Sequence, residues 1–308
     1  MKTPRRTVTL LLLLAAYGCS SQPPDDRPQQ DREMVNATHS ARQAYRQGQY
    51  EIAARQFRLA LRRAQVMDDA GAIGSQAYNL ALCLIALDQL DEAQALLAEA
   101  ERELTRDHQA LADVLLAQAR LSHVRSGPYD QEATERLLRR ALDDPQSRPD
   151  ALHRAQIALL QADLACDRGD SAAATHYLAA SQILLGEEPA VTPVHAHSAR
   201  VRGRIDQLNR QPRLAGQAFD EEADILRANR RYRDMAKALR RGGDAYTQAG
   251  QFDEAVDRYY QAARSWLAQD RLAEAEQDRA RAERLAERLA DAQWRQRLDR
   301  LRAEYPDE

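Results

Sequence analysis

The feature that most constrains this 308-residue chain is a tight turn that recurs at a nearly constant interval. The turns fall at 48, 88, 127, 169, 211 and 250, so the successive spacings are 40, 39, 42, 42 and 39. Between them, apolar residues recur at i, i+3/i+4 and i+7, the signature of amphipathic helices. Residues 236–269 show the unit most clearly, with Leu239, the small pair Gly242-Gly243 and Tyr246 before the turn. Gly250 makes the turn, and Phe252, Ala255, Tyr259 and Ala262 follow on one face of a second helix. A helix pair this short cannot bury its own apolar faces, so each pair must stack on its neighbours. The chain is 44% hydrophobic but only 5% aromatic, and it is rich in good helix formers. No run alternates in the manner of a strand. The fold class is therefore all-α.

The Gly/Asp-x-aromatic-x-x-Ala turns resemble those of the tetratricopeptide repeat, over six units and most closely in the sixth. The period exceeds the roughly 34 residues usual for that repeat, which brings the longer HEAT repeat into competition. The turn signature favours the tetratricopeptide reading. The resemblance implies a right-handed α-solenoid of about six helix–turn–helix repeats over residues 34–306, completed by a C-terminal capping helix or pair. Leu285, Leu289, Trp294, Leu298 and Leu301 share one face of that tail, as a cap requires. A second reading makes the tail a homodimerisation helix, since Ala275, Ala282 and Leu289 are seven apart.

Residues 1–18 read as a signal peptide. Lys2, Arg5 and Arg6 precede an apolar stretch too short for an ordinary spanning helix. The following Ala15-Ala16-Tyr17-Gly18-Cys19 resembles the lipobox of bacterial lipoproteins, with Ala16 and Tyr17 departing from the commonest residues. That resemblance implies acylation of Cys19, cleavage before it and firm anchoring in a membrane, because several acyl chains hold where one does not. Ser20 after the cysteine points by analogy to the outer membrane facing the periplasm, with the inner membrane as the alternative. Residues 19–33 carry three prolines and almost no apolar side chains, the composition of a disordered tether. Removing Lys2, Arg5 and Arg6 leaves 41 basic against 47 acidic residues, a formal charge of −6, which argues against nucleic acid as a partner. Cys83 and Cys166 lie on apolar helix faces, as free thiols or as a disulfide.

No catalytic constellation, phosphate-cradling loop or cofactor motif is present in the sequence. His195 and His197 are the only close histidines, and the prolines before them suggest a loop between repeats. The arginines at 230, 231, 233, 240 and 241 form a basic cluster, either a solvated helix face or a dock for an acidic partner or anionic lipid.

In tetratricopeptide proteins the first helix of each pair lines a concave groove. The resemblance thus puts Thr38, Arg42 and Tyr45 on that face, then Tyr78, Leu82 and Ile85. Beyond them come Ala117, Leu121 and Val124, then Leu159 and Asp163, then Val201, Ile205 and Leu208, and finally Lys237, Arg240, Asp244 and Thr247. Asn79 fits the family's carboxylate clamp, whereas Thr38 and Arg42 stand where the clamp uses a Lys and an Asn. A partner segment laid in this groove suggests a non-enzymatic adaptor for an envelope complex. The alternative is a regulatory subunit of a peptidoglycan-synthesising or -hydrolysing enzyme.

Overall fold

A computed structural model describes residues 31–127, 131–146, 150–186 and 192–303. The signal peptide, Cys19 and most of the tether lie outside these residues. The described residues form fourteen helices and no strand. They are α1 (Arg32–Arg46), α2 (Tyr50–Val66), α3 (Ala70–Ala86), α4 (Leu90–Arg106), α5 (Ala112–Ser126), α6 (Gln131–Asp143) and α7 (Ala151–Asp167). The second half holds α8 (Ser171–Leu185), α9 (Pro193–Leu208), α10 (Pro212–Ala228), α11 (Tyr232–Gln248), α12 (Phe252–Leu267), α13 (Leu272–Leu289) and α14 (Ala292–Ala303). Successive helices pack as antiparallel pairs and the pairs stack, giving a helical-repeat solenoid of tetratricopeptide-like build. None of the described helices is long and apolar enough to cross a membrane.

Where the repeat is regular, the same turn closes every helix. Positive φ angles occur at Gly48, Asp68, Asp88 and His108, and again at Arg210, Arg230, Gly250, Asp270 and Ala290. Each residue closes the preceding helix in one way. At the first turn the Gly48 N–H reaches the Tyr45 carbonyl at 3.0 Å and the Gln49 N–H reaches the Ala44 carbonyl at 2.9 Å. This Schellman pair satisfies carbonyls that a helix end would otherwise leave open. The next helix begins immediately afterwards, at Tyr50. Turns within a pair and turns between pairs are thus alike. The sequence signals only the former, because glycine marks several of them, while Asp, His or Arg occupies the latter where the repeat is regular. A left-handed residue with a Cβ costs about 1–2 kcal/mol, so packing of the flanking helices imposes these turns.

The small residues set how closely the helices approach. A methyl group at Gly203 would lie 2.7 Å from the Phe219 ring, at Gly216 2.7 Å from Tyr246, and at Gly243 2.7 Å from Tyr259. Each aromatic thus fills the notch left by a glycine on an adjacent helix, which joins α9 to α12 in series. Cys83 and Cys166 are both free and buried in separate cores.

One boundary and one reading change. The first helix starts at Arg32, earlier than 34, because Asp31 caps it by accepting from the Met34 N–H at 2.9 Å and pairs with Arg63 of α2. The expected dimer stripe is internal: Ala275 and Ala282 are fully buried and Leu289 packs on the same core as Leu298. α14 covers the end of that core, and its Trp294 ring lies 5.9 Å from Tyr260.

The solenoid also bends back on itself. Arg233 of α11 donates from Nη1 to the Ala86 carbonyl at 2.6 Å and from Nη2 to Asp88 Oδ2 at 2.7 Å. Next to it the Arg230 carbonyl abuts Gly48, where a Cβ would lie only 2.6 Å away. The sixth pair therefore clasps the turns of the first two. Within the arginine cluster, Arg233 makes the clasp, Arg231 pairs with Asp234 of its own helix, Arg240 with Asp278 and Arg241 with Glu222, while the Arg230 side chain is exposed.

Candidate functional site

The first helices of the pairs form the inner side of the closed superhelix. α1 and α3 run side by side there, and Phe57 of α2 floors the gap between them. Arg42, Tyr45 and Arg46, one turn apart on α1, enclose with Asn79 and Leu82 of α3 a cavity of about 190 Å³. Tyr45 sits edge-on to Tyr50, with ring centroids 5.3 Å apart. Burial pushes the Tyr45 hydroxyl up to about 12, against the opposing pull of Arg231. Arg42 and Arg46 are exposed. Two cations over an apolar, aromatic floor suit an acidic group carried on an apolar segment. Asn79 donates its Nδ2–H to the Ser75 carbonyl at 2.8 Å.

Of the groove residues expected from the sequence, Arg42, Tyr45, Asn79 and Leu82 converge on this cavity. Tyr78 and Ile85 are partly buried against the core of the first repeats. Leu121 and Leu159 are not on the groove wall: they are 3% and 0% exposed, inside the cores. Their helices are apolar on nearly all sides, so a face chosen by apolar spacing selects core residues. Ala117, Val201 and Ile205 are buried for the same reason. Arg240 leaves the groove to grip Asp278 of α13 with two hydrogen bonds of 2.7 and 2.9 Å. Asp244 accepts from the Tyr259 hydroxyl at 2.7 Å, within its own pair. Arg46 and Phe57 line the cavity although the repeat spacing does not place them on the groove face.

Deeper in the concavity, the polar residues of α7 and α9 meet. Asp163, 1% exposed, accepts from His197 Nε2 at 2.6 Å, Arg200 at 3.0 Å and Arg204 at 2.7 Å. Burial opposes its charge, but Arg200, His197 and Arg204 outweigh it and hold the carboxyl well below its usual range. Burial, and then the Arg200 charge, push His197 down to about 4 despite the carboxylate. The ring is neutral at pH 7 and donates its Nε2–H. His195 and His197 lie on α9, not in a loop, because Pro193 starts the helix. They are separately engaged, with His195 Nδ1 2.7 Å from Thr192 Oγ1. The cluster ties α7 to α9 by ion pairs that satisfy one another.

No family model matches the chain, and no curated protein matches it. Among solved structures it is similar to the apo form of the quorum sensor NprR from B. thuringiensis. The TM-score is 0.51 at 16% identity, over 82% of this chain and 76% of that one. The likeness is one of fold, a helical-repeat solenoid.

Proposed function

We propose that this chain is a non-enzymatic adaptor whose inner face captures a segment of a partner protein. The observation that carries the reading is the cavity between α1 and α3, with exposed Arg42 and Arg46 above Tyr45, Phe57 and Leu82. A preorganised cleft of this kind fixes an extended or helical segment through an apolar anchor, and the arginines select an acidic neighbour or terminus. The likeness to a solved helical-repeat sensor supports a protein-binding role at the level of fold. The lipobox-like residues before Cys19 support a location on the bacterial envelope, acylated and facing the periplasm, with envelope proteins as partners.

Two measurements test this. Metabolic labelling with a radiolabelled fatty acid marks the wild type and not Cys19→Ser; equal labelling of both removes the anchor from the reading. Capture from detergent-solubilised envelopes is compared between wild type and Arg42→Glu/Arg46→Glu, which changes only exposed side chains. A defined envelope protein lost with the charge reversal supports the cavity as the binding site. Equal capture by both refutes it.

A further inference from the structure

The cleft of Arg42, Tyr45, Arg46, Asn79 and Leu82 is walled by α1 and α3, and the clasp grips both walls. Just beyond Arg46, Gly48 meets the Arg230 carbonyl so closely that a Cβ would lie 2.6 Å from it. One turn beyond Leu82, the Ala86 carbonyl accepts from Arg233 Nη1 at 2.6 Å, and Asp88 accepts from Nη2 at 2.7 Å. Residues 230–233 therefore fix the ends of α1 and α3 relative to each other. The spacing of these walls sets the width of the cleft. At about 190 Å³ the cleft has room for one side chain. A site for a larger group takes roughly 300–1,000 Å³.

The wall that can yield is α1. It packs chiefly on α2, and its buried residues are Ala37, Ala41 and Ala44, which remove little apolar surface from water. By contrast α3 buries Ile73, Leu80 and Leu84 between α2 and α4. The clasp itself is polar. Among the described residues, no buried apolar cluster holds side chains from both the first two pairs and the sixth. Tyr232, beside Arg233, is exposed. The acid of the clasp, Asp88, is half exposed and also faces Lys237 at 3.8 Å. The Nε atoms of Arg231 and Arg233 are buried with no hydrogen-bond partner among the described residues, and each such donor opposes closure. An interface without an apolar core separates more readily than a packed repeat.

We propose that residues 230–233 are an autoinhibitory strap on the cleft. With the clasp seated, α1 and α3 stand at the spacing that admits a single side chain. When Arg233 leaves Ala86 and Asp88, the end of α1 moves away from α3 and the cleft opens to a whole segment. The inference rests on the adaptor reading for what enters, an apolar segment with an acidic neighbour, and adds how entry is controlled. Occupation and opening are linked, because a segment that fits only the open form holds the clasp released.

The test reads the width of the cleft and needs no partner. Asn79→Cys places a thiol in the cleft of the full chain, purified in detergent. Its labelling is followed with iodoacetamide and, separately, with the bulkier anionic fluorescein maleimide. Wild type labelled in parallel supplies the background from its own cysteines. Iodoacetamide enters the closed cleft, so its rate changes by less than about twofold when Arg233→Ala is added. Fluorescein maleimide reacts about fivefold faster or more once Arg233→Ala is added, in proportion to the open fraction. Asp88→Asn changes a half-exposed carboxylate at a left-handed position that asparagine accepts. It gives a smaller acceleration of the same sign, and it decides the matter if Arg233→Ala does not fold. Equal fluorescein maleimide rates with and without the clasp substitutions overturn the proposal. So does labelling of the buried Cys83 in Arg233→Ala, which would show the core loosening and not the strap releasing. An accelerated label with no envelope protein captured would count against the adaptor reading and leave the strap standing.

Discussion

Arg233 and Ala86 are 147 positions apart in sequence, yet the guanidinium of the one donates to the backbone carbonyl of the other at 2.6 Å. The carbonyl belongs to the last turn of α3, where it has no helical donor of its own. A side chain of the sixth repeat therefore completes a helix end of the second. This bond turns an open solenoid, in which each repeat meets only its neighbours, into a closed superhelix with a sheltered interior.

Arg233→Ala tests the closure. A hydrogen bond from a charged donor contributes about 1.5–3 kcal/mol, while the pair with Asp88, 49% exposed, adds roughly 0–1 kcal/mol. The variant is expected to lose about 1.5–4 kcal/mol in urea unfolding. Its amides at the turns around Gly48 and Asp88 should exchange faster, with α13 unchanged. X-ray scattering should show a larger radius of gyration. Unchanged exchange at both turns would mean that other contacts hold the ring shut.

The adjacent glycines Gly242 and Gly243 should respond oppositely to alanine. At Gly243 a methyl meets Tyr259 Cε1 at 2.7 Å and displaces a ring whose hydroxyl is bonded to Asp244. Overpacking of this kind costs about 1–3 kcal/mol, more than the helix-propensity gain of about 1 kcal/mol. At Gly242 the nearest atom is Asp220 Oδ1, the end of a side chain, at 3.3 Å. Gly242→Ala should therefore unfold at an equal or higher urea midpoint than the wild type, and Gly243→Ala at a lower one. The reverse order would contradict the ring-in-notch packing.

Much of the fold could be read from the chain because the turn repeats and the aromatic–glycine notches recur with it. The turns between pairs were hidden: Asp68, His108, Arg230 and Asp270 look like ordinary surface residues, and only packing makes them left-handed. The site was less legible for a related reason. On α1 and α3 the inner face carries Arg42, Tyr45 and Tyr78, whose size and polarity stand out. On α5 and α7 apolar residues surround the helix, so Leu121 and Leu159 look like groove residues by spacing yet fill cores. The clasp and the meeting of Asp163 with His197 depend on how repeats curve, which no local pattern encodes.

Asp163→Asn should show what holds α7 to α9. The substitution keeps the shape but leaves Arg200 and His197 without their acceptor charge, while Arg204 retains Asp167. Breaking a buried pair costs about 3–5 kcal/mol. The low end applies here, because Arg200 keeps 36% of its side-chain surface in solvent. Adding Arg200→Met should recover part of the loss in the same unfolding measurement. A double variant no better than the single would place the cost elsewhere in the cluster.

His197 gives the interior a defined response to acid. Its folded pKa of about 4 lies below the ordinary 6.5, so the unfolded chain takes up the proton first. Stability is then fully present above pH 6.5, falls as pH drops toward 4, and stops changing on this account below that. At about 1.4 kcal/mol per unit the loss is on the order of 3 kcal/mol. Two other groups act in the same experiment. His153 has a raised pKa because Asp113 and Asp150 outweigh its burial, so its contribution is present at low pH and is lost as pH rises through the folded value. Asp163 is depressed, and its contribution disappears only as pH falls below the ordinary carboxylate range. Urea unfolding at intervals from about pH 7.5 to 4.5 should therefore show wild-type stability falling on the acid side of the ordinary histidine range. His197→Gln, which keeps a donor toward Asp163 and cannot be protonated, should flatten that fall. His153→Gln should steepen it, because the opposing contribution is gone. An identical acid slope in the wild type and His197→Gln would show that burial does not depress the pKa of His197 in the folded protein.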